Sequence, residues 1–124
     1  MDSSAWLEYF AGGANAQYFS APIENTSELL VPTMCLFEVF KRFLIQYSQK
    51  DALDVVTVMQ RGQVIDVNAD VALKAAGLSV ELHLPMADSI ILATARAHNA
   101  TLWTQDTDFK DLPGVRFKAH TSQR

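Results

Sequence analysis

Apolar and polar residues are arranged along the chain in a pattern that predicts helices separated by short apolar strands. Helical periodicity, bounded by capping residues, glycines and prolines, predicts helices at residues 3–11, 14–21, 33–49, 51–60, 69–76 and 85–98. Short apolar runs predict strands at residues 28–32, 63–67, 101–104 and 115–118. Pro22 is predicted to end the second helix, and Thr33 and Asn68 are predicted helix caps.

Strands that are separated by helices indicate a parallel sheet with right-handed crossovers. Two helices between some of the strands predict a three-layer α/β fold, with a parallel central sheet flanked by helices. No repeat and no linker rich in Pro, Gly or Ser divides the sequence, so a single domain over residues 1–124 is expected. In such sheets functional sites form at the carboxyl ends of the strands.

Composition narrows the classes of function. Hydrophobic residues make up 49% of the 124 residues, enough for a buried core. Cys35 is the only cysteine, which excludes a disulfide framework and a multi-cysteine zinc site. The sequence has no apolar run of roughly 20 residues and no basic stretch leading into an apolar segment at its start. We therefore expect a cytoplasmic protein without a membrane span.

The formal net charge of −4 argues against a protein that grips nucleic acid through a broad basic face. Several acids that share one metal site would reduce this conflict, because a bound cation reverses the local charge.

Four acids occupy positions that connect them to the ends of strands or the starts of helices. Asp106 follows the predicted strand 101–104, and Asp2 precedes the first helix. Glu38 lies in an apolar stretch about one turn into the third helix, and Asp88 shares a helix face with apolar residues. These positions place all four carboxylates at the same edge of the sheet.

Carboxylates that converge in an apolar setting repel one another and are costly without a partner. A divalent cation would remove that cost, and oxygen ligands without Cys or His favour Mg²⁺ or Mn²⁺. One such ion, or a pair about 4 Å apart, activates water and stabilises charge on a phosphate. The acids therefore predict metal-dependent phosphodiester hydrolysis.

Each acid also has an ordinary structural interpretation. Asp2 can cap the first helix, and Glu38 can form an ion pair with Arg42 one turn further on. Asp88 can stabilise the helix dipole, and the two acids after the third strand can form Asx turns. An aromatic stripe at helical spacing is expected to pack against other helices and, in part, to offer a partner surface; its residues are Phe40, Phe43 and Tyr47.

Four segments carry a resemblance to a known family. They are DSSAWLEYF from Asp2, LFEV around Glu38, MADSIILATA around Asp88 and LWTQDTDF around Asp106. Over nearly its whole length the chain resembles the PIN-domain family, and within it the VapC-type toxins of bacterial toxin–antitoxin pairs. The last two motifs are the most specific, because they pair a helix-borne Asp with T-x-D-x-D-F at a strand end.

The resemblance implies a Mg²⁺- or Mn²⁺-dependent endoribonuclease, the toxin of a type II toxin–antitoxin pair. It implies metal binding and catalysis by Asp2, Glu38, Asp88 and Asp106. It also implies that Thr104 supplies a supporting hydroxyl and that Asp108 is an additional acid. The implied partners are an RNA substrate, a second copy of the chain in a homodimer, and a small antitoxin whose C-terminal segment occupies a groove near the site.

One departure from the family pattern affects the sheet. Family members carry an apolar central strand before the first Asp, whereas here Asp2 directly follows Met1. Without that strand its neighbours lose a ladder of hydrogen bonds, at roughly 1–3 kcal/mol for each buried unpaired group. The expectation is that an upstream start was missed, that the sequence was trimmed, or that another chain supplies a strand by edge addition.

Two other functions remain open from the sequence. A catalytically impaired PIN-like module that binds proteins would fit the missing strand, although the four retained acids count against it. A phosphoryl-receiver fold would need an acidic pair after the first strand and an Asp after the third, which this chain does not provide.

Overall fold

The structure, a computed structural model, describes residues 1–121 of the chain. The helices, each followed by its bounds, are α1 Ser3–Ala11, α2 Ala16–Glu24, α3 Thr33–Gln46, α4 Gln49–Met59, α5 Ala69–Leu82 and α6 Met86–Ala97. The strands are β1 Leu30–Pro32, β2 Gln63–Ile65, β3 Leu102–Thr104 and β4 Val115–Phe117, and a short 3₁₀ helix spans Thr107–Phe109. Residues 122–124 of the predicted single domain lie outside the described part.

The strands pair in parallel, which confirms the predicted α/β class. Leu30 of β1 lies opposite Gln63 of β2, and Leu102 of β3 lies opposite Val115 of β4. Among residues 1–121 the strands form two separate pairs, β1–β2 and β3–β4, instead of one continuous sheet. Each strand is three residues long, shorter than the apolar runs suggested.

Helix boundaries follow capping where the caps are strong. The side chain of Asp2 accepts a hydrogen bond from the backbone N–H of Ala5, and Gly12 ends α1 in the left-handed conformation, so the predicted bounds 3–11 are confirmed. Asn68 caps α5 as predicted. Thr33 is wrong as a cap, because it is the first residue of α3 and Pro32 precedes it.

Two predicted helix ends are wrong. Pro22 lies inside α2, which continues to Glu24 and buries Ile23. α5 continues past Gly77 to Leu82, which packs against the core. In both helices tertiary burial of an apolar side chain outweighs the local helix-breaking residue.

Large apolar side chains from most elements form the core. The fully buried ones include Trp6, Phe19, Met59, Ile91 and Phe109. The helices pack in consecutive pairs, α1 with α2, α3 with α4, and α5 with α6. Because α6 contributes a continuous run of buried residues, its first turn, which carries Asp88, is held in a fixed position beside the strands.

Within residues 1–121, no single helix combines the length and apolar character that a membrane span requires. Only α5 and α6 taken together, across a bend of 118°, meet that test of length and composition.

Candidate metal centre

Asp2 lies at the junction of α1 and β3. Its Oδ1 accepts hydrogen bonds from the Ser4 hydroxyl at 2.8 Å and from the backbone N–H of Ala5 at 3.0 Å. Its backbone N–H donates to the carbonyl of Trp103 at 3.0 Å, which ties it to the strand. Asp2 is therefore both the cap of α1 and a buried acid at the end of β3, 2% exposed.

Thr104 connects two of the predicted acids. Its hydroxyl donates to Oδ2 of Asp2 at 2.5 Å and accepts a hydrogen bond from the backbone N–H of Asp106 at 2.9 Å. The side chain is fully buried, so the hydroxyl holds both groups without competition from water. Thr104 therefore links Asp2 to Asp106, and its supporting role in a metal site stays a prediction.

Glu38 lies in the second turn of α3 and faces the same region. The hydroxyl of Ser3 donates to its Oε1 at 2.6 Å, which joins the start of α1 to α3. The ion pair with Arg42 that the sequence left open is not formed among the described residues. The carboxylate of Glu38 is instead oriented by the neutral hydroxyl of Ser3.

Asp88, Asp106 and Asp108 form the tightest group of acids. One carboxylate oxygen of each lies within 4.8 Å of an oxygen of the other two. Asp88 is in the first turn of α6, and Oδ1 of Asp106 accepts the backbone N–H of Asp108 at 2.9 Å in an Asx turn. Asp88 therefore also lies where it can stabilise the dipole of α6, and Asp106 also forms an Asx turn, in addition to their clustering.

Burial raises the pKa values of Asp2 and Asp88, and neighbouring acids raise that of Asp88 further. The pKa of Asp88 rises to about 7, chiefly because burial disfavours its charged form, and further because Asp106 and Asp108 are close. The pKa of Asp2 is also raised by burial, against the hydrogen bonds from Thr104, Ala5 and Ser4. The site thus holds more negative charge than its surroundings stabilise, as expected of a cation site.

The four predicted acids Asp2, Glu38, Asp88 and Asp106 line one pocket of about 500 Å³, which we call the acidic pocket. The remaining lining comes from α1 and α3, and consists of Ser3, Ser4, Leu7, Phe37, Lys41, Arg42 and Ile45. The pocket opens to solvent beside exposed basic side chains. A larger cavity of about 580 Å³ lies elsewhere, between the two strand pairs.

The donor set fits a hard divalent cation. Its ligand atoms are carboxylate oxygens, and Mg²⁺ and Mn²⁺ prefer such oxygens, whereas softer metals favour sulfur or imidazole. Oxygens of three acids within 4.8 Å of one another are close enough to share one ion. Asp108 belongs to this closest group although the sequence assigned it only an additional role.

Four residues of the pocket received no functional role from the sequence, where Arg42 was considered only as an ion-pair partner of Glu38. Ser3 and Ser4 orient Glu38 and Asp2 through their hydroxyls, and Lys41 and Arg42 line the pocket as its cations. The hydroxyls could have been found from their position directly after the first acid. The cations could have been found because they lie three and four residues after Glu38, on the same helix face.

The fold and the site define an α/β protein with a carboxylate-lined pocket where parallel strands end and helices begin. The chain belongs to the PIN domain family, whose sequence pattern it matches over residues 1–115. This agrees with the family that the sequence motifs resembled. No curated protein matches the sequence.

Solved structures of toxin–antitoxin complexes share this fold. A chain of a toxin–antitoxin complex from Klebsiella pneumoniae superposes with a TM-score of 0.81 at 23% identity, over 97% of each chain. DNA-bound VapBC from Salmonella typhimurium gives 0.73 at 18% identity, over 95% of this chain and 94% of that one. VapBC2 from Rickettsia felis, bound to a promoter DNA fragment, gives 0.71 at 18% identity over 94% of each. At these identities the likeness establishes the fold.

Proposed function

We propose that the protein is a Mg²⁺- or Mn²⁺-dependent endoribonuclease and the toxin of a type II toxin–antitoxin pair. The observation that carries the proposal is the acidic pocket, in which Asp88 and Asp106 form a tight group with Asp108 while Asp2 and Glu38 line the same wall. Membership of the PIN domain family supports it.

The chain's own residues have distinct tasks in this proposal. A bound divalent cation would supply an activated water and stabilise negative charge on the phosphate. Asp88 and Asp106 would hold the cation, and Thr104 fixes the second of these through its backbone N–H. Lys41 and Arg42 at the pocket wall would pair with phosphates of the bound strand. Their positive charge offsets the unfavourable overall charge of the protein near the site.

Cleavage of a fluorescently labelled RNA by the purified protein tests the proposal. With Mn²⁺ the wild type should cleave internally, and chelation with EDTA should abolish cleavage. Asp88→Asn should lower the rate about 100-fold or more, a loss of ~2.7 kcal/mol in transition-state stabilisation. Asp70→Asn is the matched control, because Asp70 is also in the first turn of its helix but is exposed and paired with Lys74. Unchanged cleavage by Asp88→Asn would refute the mechanism.

Exposed apolar residues support the proposed protein partners. Phe37 and Ile45 of α3 are 61% and 72% exposed beside the acidic pocket, where an antitoxin segment would block access. Leu73 and Val80 of α5 lie two turns apart and are 75% and 79% exposed, which supports a homodimer contact on a different helix. The cytoplasmic location expected from the sequence remains a prediction.

The two partner surfaces can be tested with reciprocal variants. Ile45→Glu should weaken copurification of a co-expressed antitoxin and leave the oligomeric state unchanged. Val80→Glu should shift a dimer to monomer in size-exclusion chromatography and leave the antitoxin contact intact. Equal effects of both variants on both readouts would contradict the assignment of separate surfaces.

A catalytically impaired binding module is the second candidate, favoured by the split of the sheet into two pairs beside Asp2. Titration with Mn²⁺ in a calorimeter separates the two. A nuclease must bind the ion with heat that disappears in Asp106→Asn, whereas a module that only binds proteins has no requirement for it.

A further inference from the structure

A second groove adjoins the acidic pocket between α1 and α3. Its volume is about 360 Å³, which lies within the range of about 300–1,000 Å³ that small-ligand sites have. Ser4, Leu7 and Arg42 line both depressions, so the two are continuous. We call this continuation the side groove, and its own lining includes Phe43, Gln46, Tyr47 and Gln105.

The side groove differs from the acidic pocket in its charge. The exposed charged side chain of its lining is that of Arg42, which forms no ion pair within residues 1–121. Glu8 also belongs to the lining, but it is 7% exposed, and its Oε2 accepts the backbone N–H of Asn15 at 2.9 Å. The accessible wall is therefore positive, which suits a phosphate of a nucleic acid strand.

Aromatic rings form one side of the side groove. Tyr47 is 58% exposed, and its ring stacks on Phe43 with the centroids 4.9 Å apart and an interplanar angle of 29°. Phe43 packs edge-on against Phe10 at 6.1 Å, which connects the pair to α1. The ring of Tyr47 is thus held in place although much of it faces solvent. Such a ring offers a stacking surface for a nucleobase.

Two side-chain amides also line the side groove. The amide of Gln105 is oriented by Asn15, whose Nδ2 donates to its Oε1 at 3.1 Å. Gln105 immediately precedes Asp106, which lines the acidic pocket. The amide of Gln46 is exposed at the end of α3. A primary amide donates and accepts at adjacent positions, which allows it to recognise the edge of a base.

The side groove is distinct from the surface proposed for the antitoxin. Its aliphatic lining is confined to Leu7 and Ala11. The exposed apolar residues Phe37 and Ile45 line the acidic pocket and not the side groove. A groove with a cation, a stacking ring and two amides matches a nucleotide better than an apolar peptide.

We propose that the side groove binds the base of a nucleotide next to the cleaved phosphate and sets the base preference of cleavage, an inference that rests on the proposed endoribonuclease activity. The base stacks on Tyr47, and the amides of Gln46 and Gln105 contact its hydrogen-bonding edge. Arg42 pairs with the phosphate of that nucleotide, because its side chain lines both the side groove and the acidic pocket.

Cleavage of a single-stranded RNA pool with a randomised segment, followed by sequencing of the products, tests the base preference. With Mn²⁺ the wild type should favour one base about 10-fold at a single position beside the cut, and Gln46→Ala should largely remove that preference. Gln60→Ala is the matched control, because Gln60 is also exposed at a helix end but lies outside the groove. Equal preferences in the wild type and Gln46→Ala would overturn the proposal.

Binding measured without cleavage tests the stacking surface. In an Asp88→Asn background, Tyr47→Ala should raise the Kd of a fluorescently labelled single-stranded RNA about 10-fold in an anisotropy titration, and Tyr47→Phe should restore most of the affinity. Because the ring of Tyr47 is largely exposed, its loss should leave the core intact, and an unchanged Tm checks this.

The outcomes separate this proposal from that of the nuclease. An unaltered Kd in Tyr47→Ala, beside Mn²⁺-dependent cleavage by the wild type, would overturn the side groove alone. RNA binding that depends on Tyr47 in a protein that cleaves no RNA would support the base site and contradict the nuclease. Weaker copurification of a co-expressed antitoxin in Tyr47→Ala, with an unchanged Kd for RNA, would assign the groove to the protein partner and overturn the proposal.

Discussion

Replacing Asp88 with Asn should stabilise the metal-free protein and destabilise it relative to the wild type once metal is present. The pKa of Asp88 is raised from 3.8 to about 7 in the folded protein, so its ionisation opposes folding. The contribution of Asp88 to the free energy of unfolding is therefore most favourable below about pH 4 and is lost as the pH rises towards 7. Asn keeps the shape of the side chain and removes the charge.

The magnitude follows from the shift in pKa and the position of the side chain. A shift from 3.8 to about 7 corresponds to ~4 kcal/mol if the environment were fully desolvated. Asp88 is only partly buried, and solvent screening lowers the expected gain to about 1–2 kcal/mol in Asp88→Asn above pH 7. Near pH 4 the gain should vanish, because the wild-type carboxyl is then protonated in the folded protein.

Urea denaturation with and without divalent cation measures both effects. In EDTA at about pH 8 the variant should have the higher free energy of unfolding, and saturating Mn²⁺ should reverse the order by stabilising only the wild type. Asp70→Asn serves as control, because its acid is exposed and paired with Lys74. If Asp88→Asn is less stable than the wild type in EDTA at both about pH 4 and about pH 8, crowding of the carboxylates does not oppose folding, and the prediction is refuted.

Three further predictions concern residues that hold the site. Thr104→Val should lower the free energy of unfolding by about 1–3 kcal/mol in urea denaturation, because Oδ2 of the buried Asp2 carboxylate loses its donor. Ser3→Ala should lower Mn²⁺ affinity about 10-fold in calorimetry with little change in Tm, because Glu38 loses its orienting hydroxyl. Phe109→Ala should cost about 3–5 kcal/mol of stability, because a fully buried ring is lost beside the acidic turn.

Matched controls are available for these variants. Thr57→Val and Ser20→Ala remove hydroxyls that bond only to carbonyls of their own helices, and neither should change metal affinity. A loss at Thr57→Val as large as at Thr104→Val would contradict the special role of the buried bond. Unaltered Mn²⁺ binding in Ser3→Ala would remove that residue from the site, and a loss below 1 kcal/mol in Phe109→Ala would contradict tight packing there.

The sequence predicted the parts of the fold that depend on local signals. The start of α1 was predictable because a carboxylate before the helix caps it, and its end because Gly12 tolerates the left-handed conformation. The grouping of Glu38, Asp88 and Asp106 was predictable because parallel strands and the helices beside them place these acids at one edge. Their roles as metal ligands remain predictions.

The remaining features depend on contacts distant in sequence. The passage of α2 through Pro22 follows from burial of Ile23, which no local rule contains. Part of the aromatic stripe was expected to offer a partner surface: Phe43 packs against Phe10 beside the core, whereas Tyr47 is 58% exposed, so the partner surface stays a prediction. The position of Ser3 directly after Asp2 indicates a place near the site, but its partner Glu38 lies 35 residues further along the chain and follows only from the fold.

The double task of Asp2 affects how an inactive form of this protein should be prepared. The same carboxylate caps the start of α1 and lines the pocket, so a substitution there alters folding and chemistry together, and lost activity could not be attributed to either. The side chain of Asp106 forms the Asx turn with Asp108, whereas the side chain of Asp88 does not cap a helix. An inactive protein meant to capture substrate or partner is therefore best made at Asp88, where the scaffold should survive the change.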